Sequence, residues 1–434
     1  MKCRLGKGGR ALRFRAPNMK RPLTFVLCAS LIALLPTQLS AAEPKPVLDS
    51  SGHPFDLKTL AIGDAAPDFA LPGVDGRVWR LADFGGTDVL MVLFTSNHCP
   101  TSHGIEARLK KLRENLRGRS VSIVAINPNH PDGLSVNELG YGEYGDSFEE
   151  MKPYAAKLGW DFPYLYDGDK QLTARAYGCL ATPHVFIFDR ARRLRYAGAF
   201  DDSRYPQEDT VKKHYARDAI EAVLGGKPVP LETTKPFGCS TKWREKRAKH
   251  VETEAGWTKI PVNLEPIDAA GVAALRANAT GRFRLINVWA TWCAPCVQEF
   301  PDLVAIARKF DLREFDFITL SLDEPAQTTR AKAFLERQGA GMTARSVNSA
   351  KRERRTTNHY VFSGARPEDL LNALDPKAPG QIPHTVFIAP GGEILWRHTG
   401  LIDRSTAIER ILAAMTPYYQ PEAGRAPGAA PARK

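Results

Sequence analysis

The sequence predicts an α/β protein that contains two copies of one domain, each a mixed β-sheet flanked by helices. Two observations lead to this fold class: the halves of the chain share a degenerate repeat, and each half has a strand–helix–strand pattern followed by a β-hairpin. The chain has 434 residues, of which 43% are hydrophobic and 25% charged. These values are typical of globular proteins, and at roughly 100–200 residues per domain the length accommodates two such domains.

The repeat is seen at three pairs of segments that follow one another in the same order. The paired segments are 89–100 with 285–296, 182–187 with 382–388, and 194–203 with 395–405. Ser96 lies 87 residues before Pro183, and Cys293 lies 90 residues before Pro383. The similar spacing indicates that one domain occurs twice, and it aligns Ser96 with Cys293.

The elements are expected in the same order in both copies. A buried strand ends in a cysteine-containing turn, a helix follows, and after a second strand and further helices a hairpin and a last helix close the domain. The expected strands are 89–94, 121–127 and 315–322, and the expected helices are 101–117, 209–224, 294–310 and 405–415. Irregular insertions are expected at 128–145 and 342–364.

The domain boundaries follow from these elements and from composition. The two domains are expected at 60–225 and 265–416, with a tail and linker at 226–264 and a disordered tail at 417–434.

The first 42 residues have the pattern of a cleaved secretory signal peptide. Residues 23–35 form an apolar run with basic residues before it and small residues after it. The run is too short for a comfortable membrane span of about 20 residues, although an uncleaved anchor is the alternative. We therefore expect export, to the periplasm or elsewhere outside the cytoplasm, with no membrane span after cleavage.

The net charge of +12 does not indicate a nucleic-acid partner. Residues 1–42 hold eight Lys and Arg residues and no acidic residue, so the other 392 residues carry only +4. That charge is small for a chain of this size, and no nucleic acid is expected to bind.

The cysteines beyond residue 42 indicate chemistry rather than a disulfide scaffold. They are Cys99, Cys179, Cys239, Cys293 and Cys296. Five cysteines are too few to staple 392 residues, and an odd number leaves at least one thiol without a partner in the chain.

The strongest motif is Trp292-Cys293-Ala294-Pro295-Cys296, at the end of one predicted strand and the start of a helix. The free N–H groups and the dipole of a helix N-terminus stabilise a thiolate, and in such motifs the thiol pKa falls from ~8.5 to roughly 3.5–7.5. Cys293 is therefore predicted to attack a disulfide, and Cys296 to resolve the mixed disulfide that forms. A structural disulfide and a zinc half-site are the alternatives, but no second CxxC completes a zinc site.

The C-terminal half resembles the thioredoxin superfamily, and within it the exported TlpA/ResA-type thiol-disulfide oxidoreductases. The similarity lies in residues 287–296, in Glu299 to Pro301 and in Ile382-Pro383. The resemblance implies a thioredoxin-like domain in which a cis Pro383 faces the dithiol and Glu299 transfers protons near the sulfurs. It also implies a substrate groove formed by Trp292 and Ile382. The alternative for Glu299 is a solvated side chain on a helix face.

The N-terminal half resembles the redoxin/AhpC-TSA group, in particular a peroxiredoxin-like branch with an Asn-His-Cys-Pro turn. The resemblance covers roughly 60–245 and implies a second thioredoxin-like domain, with Cys99 as a peroxidatic thiolate. Ser96 would donate a hydrogen bond from its hydroxyl group, and His98 would stabilise the thiolate. Relatives commonly carry Cys where Ser96 stands, and Val92 occupies a position that is Pro in peroxiredoxins.

Three roles for Cys99 stay open. It can act as the reactive thiol of a peroxidase, it can form mixed or internal disulfides, or it can be a residue of a degenerate binding domain. Cys179 and Cys239 can pair with each other, or either can pair with Cys99. Thr182 and Pro183 are expected to line a groove in this domain, and Arg175 is the nearest substitute for the arginine of peroxiredoxins.

The sequence therefore predicts an exported thiol-disulfide oxidoreductase with two tandem thioredoxin-like domains. Protein disulfides are the expected substrates, and a membrane electron-donor conduit is the expected source of electrons, with no bound cofactor and no metal. One alternative is a thiol peroxidase whose Cys99 is recycled by the second domain. The other is a non-enzymatic assembly or metal-delivery module.

Overall fold

The computed structural model describes residues 48–50 and 52–419. The predicted signal peptide at 1–42 lies outside the described residues, as do residues 420–434 of the predicted disordered tail. Within the described part, no helix combines the length and the apolar character that crossing a membrane requires.

The first domain is a mixed sheet with helices on both faces. Its strands are β1 (Ala70–Pro72), β2 (Val78–Arg80), β3 (Val89–Phe94), β4 (Val121–Asn127), β5 (Tyr164–Tyr166), β6 (Ala181–Thr182), β7 (His184–Phe188), β8 (Leu194–Gly198) and β9 (Cys239–Ser240). Its helices are α1 (Pro100–Asn115), α2 (Phe148–Leu158), α3 (Leu172–Tyr177) and α4 (Tyr215–Leu224). The main sheet has the order β5-β4-β3-β7-β8, in which only β7 runs antiparallel to the other strands.

The second domain follows helix α5 (Arg247–Trp257) and repeats this arrangement with one more strand. Its strands are β10 (Leu264–Ile267), β11 (Phe283–Trp289), β12 (Phe315–Ser321), β13 (His359–Phe362), β14 (His384–Ile388) and β15 (Ile394–Thr399). Its helices are α6 (Ala269–Ala277), α7 (Ala294–Lys309), α8 (Thr328–Arg337), α9 (Ala344–Arg352), α10 (Pro367–Leu374) and α11 (Arg404–Met415). The sheet order is β10-β13-β12-β11-β14-β15, in which only β14 runs antiparallel to the other strands.

The central strands are apolar throughout because both of their faces are covered. In β3, Val89, Met91 and Leu93 pack into the layer that contains α1 and α4, while the alternate residues pack on the opposite side of the sheet. All six residues of β3 are buried. This burial accounts for the continuous apolar run that predicted the strand.

The sequence predicted an irregular insertion at 342–364, and this prediction was wrong. The segment contains α9 and β13, and β13 lies inside the sheet between β10 and β12 with its four residues buried. A strand of four residues is too short to show a clear alternating pattern, so no local pattern predicted β13.

Segment 226–264 also differs from the expected tail and linker. Strand β9 pairs with β6, and this pairing sets Cys239 opposite Thr182. Trp243 is fully buried against the first domain, where its Nε1–H donates to His53 Nδ1 at 3.0 Å. This anchoring makes residues 239–243 an integral part of the first domain.

The two domains meet around Arg313, whose side chain is almost fully buried. Its guanidinium donates a hydrogen bond of 2.5 Å to the Gly140 carbonyl of the first domain and lies 5.2 and 5.0 Å from the ring centroids of Tyr141 and Tyr418. A Cβ atom on Gly140 would lie 2.3 Å from the Lys309 carbonyl oxygen, so only glycine allows this approach. Tyr418 belongs to the segment predicted to be disordered, and this prediction was wrong for residues 417–419.

Candidate active sites

The CxxC motif of the second domain forms a disulfide at the N-terminus of α7. Cys293 is the N-cap residue of the helix, and its sulfur is bonded to Cys296 and accepts a hydrogen bond of 3.3 Å from the Cys296 N–H group. Cys293 is 5% exposed and Cys296 is fully buried. A nucleophile that approaches from solvent therefore reaches the sulfur of Cys293 first.

The turn that carries the dithiol is stabilised by Asp323, a residue that the sequence did not single out. Asp323, which follows β12, accepts hydrogen bonds from the backbone N–H of Thr291 at 3.0 Å and from the Thr291 hydroxyl at 2.6 Å. Asp323 is almost fully buried. It lies at the carboxyl end of the strand beside β11, where parallel strands bring such side chains together.

Glu299 is a buried carboxyl group, so the alternative of a solvated side chain was wrong. It is 2% exposed, its Oε1 accepts from the Asn287 side-chain amide at 2.9 Å, and its Oε2 accepts from the Ile402 N–H at 2.9 Å. Burial raises the pKa of Glu299 to about 7, although the two hydrogen bonds oppose this shift. Glu299 follows Cys296 by three residues, which puts both on one face of α7.

The proline loop lies at the same edge of the sheet as the dithiol. The Ile382–Pro383 peptide bond is cis, and β14 begins at the next residue, where His384 pairs with Val288 near the end of β11. Ile382 is half-buried, whereas Trp292 is 60% exposed. The loop and the indole ring thus border the turn that carries Cys293.

In the first domain, Cys99 takes the position that Cys293 has in the second. Phe94 of β3 pairs with His184, and Val288 of β11 pairs with His384, so Phe94 and Val288 hold the same position in the two sheets. Cys99 lies five residues after Phe94, and Cys293 lies five residues after Val288. Both cysteines are N-cap residues of the helix that follows. The alignment of Ser96 with Cys293 was therefore wrong.

Ser96 does not donate a hydrogen bond to Cys99. Its hydroxyl bonds to the Thr182 hydroxyl at 2.8 Å, and the Thr182–Pro183 peptide bond is cis, like Ile382–Pro383. The Thr182 carbonyl instead accepts from the Cys99 thiol at 3.1 Å. Thr182 thus contacts the sulfur of Cys99, and both Thr182 and Pro183 are buried, so they do not form an open groove.

The surroundings of Cys99 stabilise its thiolate. Complete burial disfavours the charge, but a hydrogen bond from the Cys239 thiol, the nearby His98 and backbone N–H groups of Ser102 and Cys239 outweigh it, so the pKa of Cys99 lies well below its usual value. The Cys239 N–H lies 3.4 Å from the Cys99 sulfur.

His98 is held by a buried carboxylate that the sequence did not single out. Its Nδ1 lies 2.5 Å from Oδ2 of Asp146, which also accepts from the Asn129 side-chain amide at 2.7 Å and from the Asn97 N–H at 2.7 Å. Burial disfavours the charge of Asp146, but His98 and these hydrogen bonds keep its pKa below the usual value. Asp146 follows the irregular segment 128–145, and no local pattern marks it as a partner of His98.

Cys179 is separate from this pair of thiols. It is fully buried, its thiol donates to the Ala181 carbonyl at 3.4 Å, and burial raises its pKa to about 12. Of the pairings that the sequence left open, the structure brings together Cys99 and Cys239. Arg175 forms an ion pair with Glu245 and does not replace the arginine of peroxiredoxins.

Comparisons with known proteins identify both domains. The AhpC/TSA family model matches residues 62–197, and the Redoxin family model matches residues 268–406. The chain is 28% identical over 142 residues to the thiol-disulfide oxidoreductase ResA of Geobacillus thermodenitrificans, with 32% of this chain and 71% of the relative covered. It is 29% identical over 157 residues to the thiol:disulfide interchange protein HelX of Rhodobacter capsulatus, with 36% and 74% covered.

A third relative is a Mycobacterium tuberculosis protein, MT2597, whose name assigns it provisionally to the peroxiredoxins. It is 31% identical over 124 residues, which cover 27% of this chain and 66% of the relative. Each family model matches about a third of the chain, and together with the thiol-disulfide oxidoreductase and peroxiredoxin relatives they show an oxidoreductase of the thioredoxin superfamily. More closely, it is a tandem of an AhpC/TSA domain and a redoxin domain, which confirms both resemblances seen in the sequence.

Proposed function

We propose that this protein is an exported enzyme that exchanges disulfides with protein partners through Cys293 and Cys296. The observation that carries the proposal is the Cys293–Cys296 disulfide at the start of α7, with the more accessible sulfur at the helix N-terminus. The relatives ResA and HelX are named for thiol–disulfide chemistry, which supports the same reaction here.

In the reduced protein, the Cys293 thiolate attacks one sulfur of a substrate disulfide and expels the other as a thiolate. Cys296 then attacks the sulfur of Cys293, which reforms the internal disulfide and releases the substrate as a dithiol. Two protons must reach the substrate sulfurs, and Glu299 is suited to exchange them because its pKa of about 7 allows both protonation states near neutral pH.

Exposed apolar side chains around the dithiol favour a protein substrate. Trp292, Val297 and Leu401 are all exposed. Trp292 and Val297 flank the CxxC motif, and Leu401 precedes Ile402, whose N–H donates to Glu299. Exposed apolar residues that surround a reactive group are typical of binding surfaces for polypeptides.

Export and an electron donor complete the proposal. The basic and apolar pattern within residues 1–42 supports export. A reductase in an oxidising compartment must be reduced again after each turnover, and a membrane electron-donor conduit is the partner that meets this requirement.

Insulin reduction tests the assignment of the dithiol. In the full chain, Cys293→Ser should lower the rate of insulin reduction to that of the added reductant alone, because the attacking thiolate is lost. Cys296→Ser should instead accumulate a mixed disulfide with insulin. The matched control Cys179→Ser should retain the full rate, since Cys179 is buried and distinct from the dithiol. A Cys293→Ser protein as fast as wild type contradicts the proposal.

Thiol peroxidase activity at Cys99 is the second candidate, and the lowered pKa of this thiol favours it. Peroxide consumption that disappears in Cys99→Ser, while Cys293→Ser affects only turnover, would identify this activity.

A further inference from the structure

Cys99 and Cys239 meet in a way that the dithiol function does not explain. They lie 140 residues apart in the chain, and β9 exists as a strand only because it pairs with β6 beside the Cys99 turn. This pairing sets Cys239 opposite Thr182, whose carbonyl contacts the Cys99 sulfur at 3.1 Å. The fold therefore builds this contact from two distant segments.

The two sulfurs differ in access and in their partners. Cys99 is completely buried, whereas Cys239 is partly exposed. The Cys99 sulfur lies 3.4 Å from the Cys239 N–H and within hydrogen-bonding reach of the Cys239 thiol. The third free cysteine of the described part, Cys179, bonds to Ala181 instead.

We propose that Cys99 and Cys239 form a reversible disulfide, a second redox couple in the first domain that exchanges electrons with external thiols and disulfides through the sulfur of Cys239. The couple is independent of Cys293 and Cys296 and does not rest on the function proposed for them.

The reaction balances as a two-electron thiol–disulfide exchange. In the oxidising direction, the Cys239 thiol, whose pKa is raised by its hydrogen bond to Cys99, passes its proton to the adjacent Cys99 thiolate and attacks an external disulfide. One external thiolate is expelled and takes this proton from Cys99, which leaves a mixed disulfide at Cys239 and a thiolate at Cys99. The Cys99 thiolate then attacks the Cys239 sulfur and expels the second external thiolate. One thiolate and one thiol of the pair are thus oxidised to a disulfide, the external disulfide is reduced to one thiol and one thiolate, and the proton of Cys239 is passed on.

In the reducing direction, the same groups make Cys99 a good leaving group. An incoming thiolate attacks the Cys239 sulfur, the sulfur–sulfur bond breaks, and Cys99 leaves as a thiolate beside His98 and the N–H groups of Ser102 and Cys239. Asp146 acts as a positioning residue, since it holds His98 next to the sulfur.

The entrance to this pair is bordered by the C-terminal segment of the second domain. The Tyr419 hydroxyl forms a hydrogen bond with Thr101 of α1 and lies near the sulfurs of Cys99 and Cys239. The Arg204 guanidinium lies 5.5 Å from the centre of the Tyr419 ring. Cys239 is the partly exposed thiol of the pair, so we expect external thiols to react at its sulfur.

Peptide mapping of the full chain in glutathione redox buffers tests the proposal. The protein is equilibrated with reduced and oxidised glutathione, alkylated and digested, and its linked peptides are identified by mass spectrometry. We expect a peptide pair that joins Cys99 to Cys239, and the matched control Cys179→Ser should form it equally well. Free thiols at Cys99 and Cys239 in buffers that fully oxidise Cys293 and Cys296 would overturn the proposal.

The two single variants test the direction of exchange. In Cys99→Ser, glutathione should persist on Cys239, because the thiolate that resolves the mixed disulfide is missing. In Cys239→Ser, Cys99 should remain unmodified until the protein is denatured, because its sulfur is buried. Protection of the fully buried Cys179 from alkylation in the same samples shows that the first domain of both variants is folded. Glutathione on Cys99 of the folded Cys239→Ser protein would overturn the entry route through Cys239.

Discussion

Substitution of Glu299 by Gln should change how the stability of this protein depends on pH. The pKa of Glu299 rises from the usual 4.5 to about 7 in the folded protein, mainly because the carboxyl group is buried. A shift of this size corresponds to about 3 kcal/mol, at ~1.4 kcal/mol per pH unit. The folded state binds the proton more tightly than the unfolded state, so the free energy of unfolding falls by that amount as the pH rises from about 4.5 to about 7.

Glu299→Gln removes this loss because the amide does not ionise. The Asn287 side-chain oxygen has no hydrogen-bond partner, so rotation of that amide lets it accept from the introduced group. The substitution can also change the free energy of unfolding by an amount that does not depend on pH. Apart from that amount, the free energy of unfolding of the variant should rise by about 3 kcal/mol relative to the wild type between acidic and neutral pH. The gain should be complete just above pH 7.

Urea unfolding at a series of pH values measures this difference. Other groups titrate over the same range, but they contribute equally to both proteins and cancel in the comparison. Glu409→Gln is the matched control, since Glu409 is exposed on α11 and should leave the pH dependence unchanged. Parallel curves for wild type and Glu299→Gln would refute the assignment of a raised pKa to Glu299.

Two further predictions concern the first domain and its contact with the second. Asp146→Asn should cost roughly 3–5 kcal/mol of stability, because it leaves His98 without its buried partner, and should raise the pKa of the Cys99 thiol. Chemical denaturation and the ultraviolet absorbance of the thiolate against pH measure the two effects, and an unchanged thiolate titration contradicts the role of Asp146. Gly140→Ala should separate the two domains, because the new Cβ would meet the Lys309 carbonyl at 2.3 Å. Faster proteolysis between the domains would report the separation, and the control Gly86→Ala, with open space around Gly86, should match wild type.

The sequence predicted the scaffold well where one strand or helix carries its own pattern. Strand β3 was found as a continuous apolar run, and the helix after the dithiol was recognised from the turn that precedes it. The burial of Glu299 could not be decided in this way, because it depends on Asn287 from β11 and Ile402 from the end of the chain.

The contacts of Cys99 show the same limit more clearly. Its partners come from Thr182, Cys239 and the His98–Asp146 pair, which are brought together only by the folding of the whole domain. The spacing between anchors even favoured the wrong alignment of Ser96 with Cys293. Hydrogen-bond register between strands corrected it, and register is a property of paired strands that one segment of sequence does not contain.

The place where the two domains touch has a consequence for access by large partners. Helix α7 has 16 residues and is about 24 Å long, at ~1.5 Å per residue. The dithiol lies at its first turn, whereas the first domain contacts Lys309 at its last. A folded protein can therefore approach Cys293 without displacing the attached domain, and the interdomain contact need not open and close during turnover.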